Sequence, residues 1–137
     1  MKTMIKMFSG LVLLVIIASC ATTPLAIPEK YNLGNQLEEV KEIIKYKVTS
    51  WETVDTQSII LRANVNDYYL LVLDRPLIGI ITSERIGISS TVSSIKSGYD
   101  KIYVKGDTGL EYYTIDRIYK LKGRDQAKEI KERFRGK

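Results

Sequence analysis

Apolar and polar positions change rhythm several times along the chain. Residues Phe8 to Ala18 form one apolar run, interrupted only by Ser9 and Gly10. Between Asn35 and Ile44, the residues Leu37, Val40 and Ile44 recur at helical spacing among Glu38, Glu39, Lys41 and Glu42. That spacing predicts a short helix capped by Asn35, although Ile43 to Val48 equally suits the start of a strand. From Tyr46 the period becomes that of strands. Ser58–Ala63 and Tyr68–Leu73 are β-branched and aromatic runs on either side of Asn64-Val65-Asn66-Asp67, which predicts a hairpin. Arg75-Pro76 should end its second strand, because proline lacks the ladder donor. Residues 77–98 alternate loosely and read as short strands and loops. A second hairpin is predicted from Lys101–Lys105, a Gly106-Asp107-Thr108-Gly109 turn, and Leu110–Ile115. After Gly123, the narrow apolar stripe Ala127, Ile130 and Phe134 predicts a solvated helix docked along one edge.

These elements make an α+β fold: one small domain dominated by an antiparallel sheet of five or six strands, able to curl toward a small barrel. A short N-terminal helix and a C-terminal amphipathic helix flank it. The length of 137 residues allows one domain, and 45% hydrophobic residues suit a packed core. A single Cys excludes an intramolecular disulfide. The absence of His removes the commonest metal ligand and the commonest general base near neutral pH. The composition therefore argues against most hydrolytic and metal chemistry.

The apolar run at the N-terminus follows Lys2 and Lys6. It suits a secretory signal and is too short for the roughly 20 residues that span a bilayer. It ends in Ile17-Ala18-Ser19-Cys20, which resembles the bacterial lipobox. The resemblance implies cleavage between Ser19 and Cys20 and lipidation of Cys20. The plainer alternative is an ordinary signal peptide in which Cys20 is incidental. The expected organisation is a signal peptide at 1–19, a lipidated Cys and flexible linker at 20–35, and a globular domain at 36–137. A multiply acylated Cys20 would tether the protein stably to a membrane. Ala21 after it suggests the periplasmic face of the outer membrane in a Gram-negative host. The mature chain would be weakly basic, and its excess lies in residues 117–137, where nine basic groups face three acidic ones.

Several stretches carry a family resemblance. They are Trp51 and Asp55 within Val48–Asp55, Asp67–Leu73, Gly98-Tyr99-Asp100 with Ile102 and Val104, and Ile115-Asp116-Arg117-Ile118 before the terminal helix. In order and spacing the span from Val48 to Lys122 resembles an uncharacterised family of Gram-negative envelope proteins, the domain-of-unknown-function family 6491. The resemblance implies a secreted, largely β domain and assigns no activity. Other members often carry Cys near Leu77, Ile95 and Tyr113, so any disulfide that steadies them is absent here.

Candidate chemistry is sparse. Asp107-Thr108-Gly109 matches the core of an aspartic protease, yet ordinary turn physics explains the same residues. Asp55, Asp67, Asp100 and Asp116 would support a carboxylate-based hydrolase only if two shared a cleft. None stands in a patterned cation loop, and turn and capping roles are expected. Tyr68-Tyr69 and Tyr112-Tyr113 each place one ring on either face of a strand, so one ring of each pair should be buried and the other exposed. The exposed rings offer a surface for a glycan or another envelope protein. Trp51 is expected in the core. The basic tail suits a solvated helix or anionic lipid head groups, and a secreted protein has no reason to meet nucleic acid. The expectation is a non-enzymatic, membrane-tethered module without catalytic residue, metal or cofactor. Its partners would be the membrane through Cys20 and an envelope protein or glycan.

Overall fold

A computed structural model describes residues 26–44, 47–77, 85–90, 93–106 and 108–136. The described chain begins with a single 3-10 turn at Glu29–Tyr31, followed by β1 (Glu38–Val40), β2 (Glu42–Ile44), β3 (Val48–Thr53), β4 (Ser58–Ala63) and β5 (Asp67–Leu73). Then come β6 (Ile86–Ile88), β7 (Ser94–Lys96), β8 (Lys101–Gly106), β9 (Gly109–Leu121) and α1 (Arg124–Arg135). The main sheet runs β3-β4-β5-β9-β8-β6, β1 pairs with β9, and β2 and β7 form a separate ribbon. All pairings are antiparallel. The sheet curls into a half-barrel with one helix outside it.

Both faces of the central strands are buried, which is why β4 and β5 read as continuous apolar runs. Ile59, Leu61, Leu71 and Leu73 point into the curl and join Ile43, Ile95, Ile102, Tyr113 and Ile118. Ile60, Leu70 and Val72 point outward and join Tyr31, Leu33, Tyr119, Leu121, Ala127 and Ile130. Cross-strand register keeps the two sets apart: Ile60 faces Leu70, and Ile59 faces Leu71. Leu77, Ile95 and Tyr113 all lie in the inner cluster. Apolar packing fills those positions in this chain.

β9 links the two halves of the curl. Its first half pairs with β8 and its second with β5, and the register shifts so that Leu73 faces Ile115 while Val72 faces Arg117. Asp116 is the extra residue. A bulge bends a strand and inverts its alternation. Tyr113 and Ile115 therefore face inward before it, whereas Ile118 faces inward after it.

Both predicted hairpins form. The first turns through Asn64, which takes a left-handed φ of 56°, and Asn tolerates that conformation well. The second closes on the pair Gly106 and Gly109, with Asp107 of the predicted turn outside the described residues. The C-terminal helix follows Gly123 as predicted. It packs across the outer face of the sheet rather than along an edge, with Ala127 and Ile130 buried.

The predicted N-terminal helix is replaced by β1 and β2. The free edge of β9 takes Glu38–Val40, with Glu38 opposite Lys120, and β7 takes Glu42–Ile44, with Ile43 opposite Ile95. Ile43 is buried and Ile44 is exposed, the reverse of what the helical pattern needs. The fold also begins before the expected linker ends, because Tyr31 and Leu33 are buried in the outer cluster.

A basic groove beside the C-terminal helix

The residues of α1 fall into two stripes. Ala127, Ile130 and Phe134 make the apolar one. Beside it, Arg124, Lys128, Lys131 and Arg135 recur at spacings of four, three and four, which also places them along one side of a helix. The apolar stripe docks on the outer face of the sheet, and the basic stripe becomes the wall of an open groove of about 1260 Å³. The floor comes from outward-facing strand positions: Ser50 and Glu52 of β3, Ile60 and Arg62 of β4, and Tyr68 of β5. Register brings them together, with Ser50 opposite Arg62, Glu52 opposite Ile60, and Arg62 opposite Tyr68. Lys122 closes the end near the start of α1.

Six cationic side chains line this groove against the carboxylates of Glu52 and Glu132. Three of the six are engaged. Lys131 Nζ donates to Glu52, and Arg135 Nη2 donates to the Thr53 carbonyl at 3.1 Å. Arg62 donates to the Val65 carbonyl through Nε (2.9 Å) and Nη2 (2.6 Å), with its guanidinium 5.6 Å from the Tyr68 ring centre. The side chains of Lys122, Arg124 and Lys128 have no hydrogen-bond or ion-pair partner among the described residues. Arg124 and Lys128 are like charges four residues apart, an arrangement that costs a helix about 0.2–0.5 kcal/mol. Arg124 also sits at the positive end of the helix dipole, where Gly123 supplies no side-chain cap. The result is a concentrated positive surface suited to phosphate or carboxylate oxygens.

The four aspartates of the sequence reading lie away from the groove, and Asp55, Asp67 and Asp100 take the turn and capping roles expected of them. Asp55 Oδ2 accepts from Lys30 Nζ (2.9 Å) and from the Tyr31 hydroxyl (2.7 Å). Its Oδ1 accepts from Gln57 N (2.9 Å) and Ser58 Oγ (2.8 Å). Burial by itself would raise the Asp55 pKa, but the bonds from Lys30, Gln57, Tyr31 and Ser58 outweigh it and hold the carboxyl below its usual value. Burial, reinforced by the neighbouring Asp55 charge, pushes the Tyr31 phenol well above its usual range. Tyr31 stacks on Phe134 with centroids 5.7 Å apart, and the Tyr119 hydroxyl donates to its carbonyl at 2.7 Å. Asp55 is thus the pin of a latch that holds the N-terminal segment and α1 on the outer face.

Asp67 accepts from Asn64 Nδ2 in the first hairpin turn at 3.0 Å, at the far end of β4 from Asp55. Six strand residues separate them, roughly 20 Å. Buried Asp100 accepts from Ser89 Oγ (3.1 Å) and Lys96 N (2.7 Å). Asp116 is the bulge residue, 3.3 Å from Arg117 Nε. Among the described residues no group of three or more Asp, Glu, Cys or His is placed to hold a metal ion.

The tyrosines diverge. Tyr113 is buried and Tyr112 is exposed, as alternation predicts, with the Tyr112 ring tilted against Tyr103 at 6.0 Å. Tyr103 crosses β6 at Gly87, where a Cβ would stand 1.9 Å from the ring. Tyr68 and Tyr69 are both half-buried, a departure from the expected split. The sheet is covered on both faces there, so Tyr68 packs outward and Tyr69 inward. Trp51 is likewise half-buried against the inner cluster. Ser19 and Cys20 lie outside the described residues.

The basic tail is legible in the sequence, whereas the groove is not. The signal was there in the 4-3-4 spacing of Arg124, Lys128, Lys131 and Arg135 beside the apolar stripe. Its other wall needs the strand register, which the tail does not contain.

The chain belongs to a family of unknown function (DUF6491), which it matches over residues 1–137. No curated protein and no solved structure matches it.

Proposed function

We propose that this member of the family is a lipid-anchored, non-catalytic binding module of the bacterial cell envelope, and that the basic groove is its working surface. The observation that carries the reading is the unequal use of charge. Asp55, Asp67 and Asp100 are committed to hydrogen bonds that hold turns and segments in place, whereas Lys122, Arg124 and Lys128 are held open along one groove. A surface of this kind binds anions. The tether rests on Ile17-Ala18-Ser19-Cys20 behind a charged and then apolar leader. Ala21 directs the anchored protein to the outer membrane. Among the described residues no helix is long and apolar enough to cross a membrane.

The test is the intact mass of the protein recovered from its own envelope. It should begin at Cys20 and carry acyl chains, and Cys20→Ala should leave the membrane fraction. An uncut chain without lipid would overturn the tether. A second reading, in which an exposed aromatic ring stacks on glycans, draws on Tyr112, whose ring tilts against half-buried Tyr103. Under that reading Tyr112→Ala should abolish retention on an envelope glycan, with the groove variants neutral.

A further inference from the structure

We infer that the groove takes the phosphate groups of anionic phospholipids, so that α1 lies against the bilayer to which the chain is tethered. This rests on the tether proposed above for how the surface is reached, and on the groove alone for its chemistry. The shape argues first. The basic stripe from Arg124 to Arg135 extends about 16 Å along the helix. That is too long for one small anion and suits a row of head groups. The charge argues next. Three of the groove's cations, Lys122, Arg124 and Lys128, have no protein partner among the described residues, and a cation at a helix start is not there for the helix. The path of the chain argues third. Tyr31 stacks on Phe134, and Lys30 Nζ lies 5.9 Å from the same ring, so the chain enters beside the C-terminal end of α1. Cys20 is ten residues before Lys30 and can never be more than about 35 Å from that end. Arg135 and Gly136, at that same end, border the groove. An acylated Cys20 therefore keeps the groove within reach of the bilayer surface.

The experiment uses the full chain with Cys20→Ser, which cannot be acylated, sedimented with vesicles. One set is phosphatidylcholine alone and the other contains about one third phosphatidylglycerol. All the proteins compared also carry Lys2→Gln and Lys6→Gln, which leaves the apolar leader no charged side chain to favour the anionic set, so the readout is the ratio between the two sets. The expected ratio is about tenfold or more in favour of the anionic vesicles, falling steeply as salt is raised. Arg124→Glu with Lys128→Glu should bring it near one. Lys101→Glu with Lys105→Glu, exposed on β8 and equal in net charge change, should leave it largely intact. Arg124→Gln with Lys128→Gln serves if the reversed pair does not fold, as judged by thermal melting.

Equal losses from both pairs would show simple net-charge attraction and overturn the assignment. So would the absence of any anionic preference, or full displacement by soluble glycerol phosphate at matched phosphate concentration. Binding to a sulfated glycan such as heparin without preference for anionic vesicles would overturn it as well. The two readings fail separately. An acylated native protein whose groove ignores anionic vesicles keeps the tether and loses the occupant; an unacylated one with the preference keeps the groove and loses the tether.

Discussion

The inner face of the curl is packed by strand side chains, Ile59, Leu61, Leu71, Leu73, Ile102 and Ile118 among them, and the β2–β7 ribbon adds Ile43 and Ile95. The outer face is buried too, but by the two ends of the described chain: Tyr31, Leu33 and Leu37 from the N-terminal side, and Ala127 and Ile130 from α1. Its cover is pinned by polar contacts, Tyr31 and Lys30 to Asp55 and Tyr119 to Tyr31, and it stops short, leaving the basic groove uncovered. The inner face is therefore the region of strength, and the outer face is the one that carries the proposed working surface. Charged groups appear where one layer ends and solvent begins.

The largest expected effect tests the first half of that contrast. Leu71 is fully buried at the centre of the inner face, and Leu71→Ala should cost about 2–5 kcal/mol of global stability, read by denaturant unfolding. Ile130→Ala removes a comparable side chain from the outer cover. If α1 is a separable cover, much of its effect should appear as faster amide exchange in α1 and in the segment around Tyr31, with a smaller loss of global stability. Equal global losses at both sites would erase the distinction between the faces.

Next in size is the latch. Asp55→Ala leaves the Tyr31 hydroxyl and two neighbouring donors without their acceptor, which should cost about 1–3 kcal/mol. The wild-type carboxyl titrates below its usual value near 3.8 when folded. Its contribution is therefore complete above that value and is lost as pH falls through the folded value. Melting temperatures of wild type and variant should differ at pH 7 and converge toward pH 2. Tyr31→Phe is the milder cut, worth about 0.5–1.5 kcal/mol, because it keeps the stack on Phe134. The phenol adds an alkaline arm. Folded Tyr31 holds its proton well above 10, so the wild type should lose this advantage as pH rises beyond 10, where the unfolded phenol ionises. A gap independent of pH on both sides would mean that Asp55 and Tyr31 are not coupled as drawn.

Much of this fold is legible in the sequence alone. Both hairpins follow from turn residues between alternating runs, and α1 follows from Gly123 and its apolar stripe. The N-terminal helix was misread because Leu37, Val40 and Ile44 satisfy a helical period that the edge of β9 overrides, and an open edge is not visible in a local window. The length of β9 was hidden by Asp116, since a bulge breaks the alternation that marks a strand. Asp55 was read as a turn residue. Its bonds to Lys30 and Tyr31 depend on a segment that looked like linker and lies 24 residues upstream. The groove needed both a helix stripe and the strand register, and neither alone points to it.

The smallest effect on stability bears most directly on the proposed working surface of the outer face. Glu52 lies on the groove floor and accepts from Lys131, and both side chains are partly solvated. Exposed pairs of this kind contribute roughly 0.2–1 kcal/mol, so Glu52→Gln should barely move the melting temperature. The same change removes a negative charge from the groove and frees a cation of the basic stripe. Binding to anionic vesicles should therefore tighten by a few-fold, and its salt dependence should steepen. Asp74, paired with Arg75 away from the groove, gives the matched control: Asp74→Asn alters net charge equally and should leave the salt dependence as it was. An unchanged affinity in Glu52→Gln, or an equal gain in Asp74→Asn, would mean that the groove's charge is incidental. The outer face would then be no more than a second core.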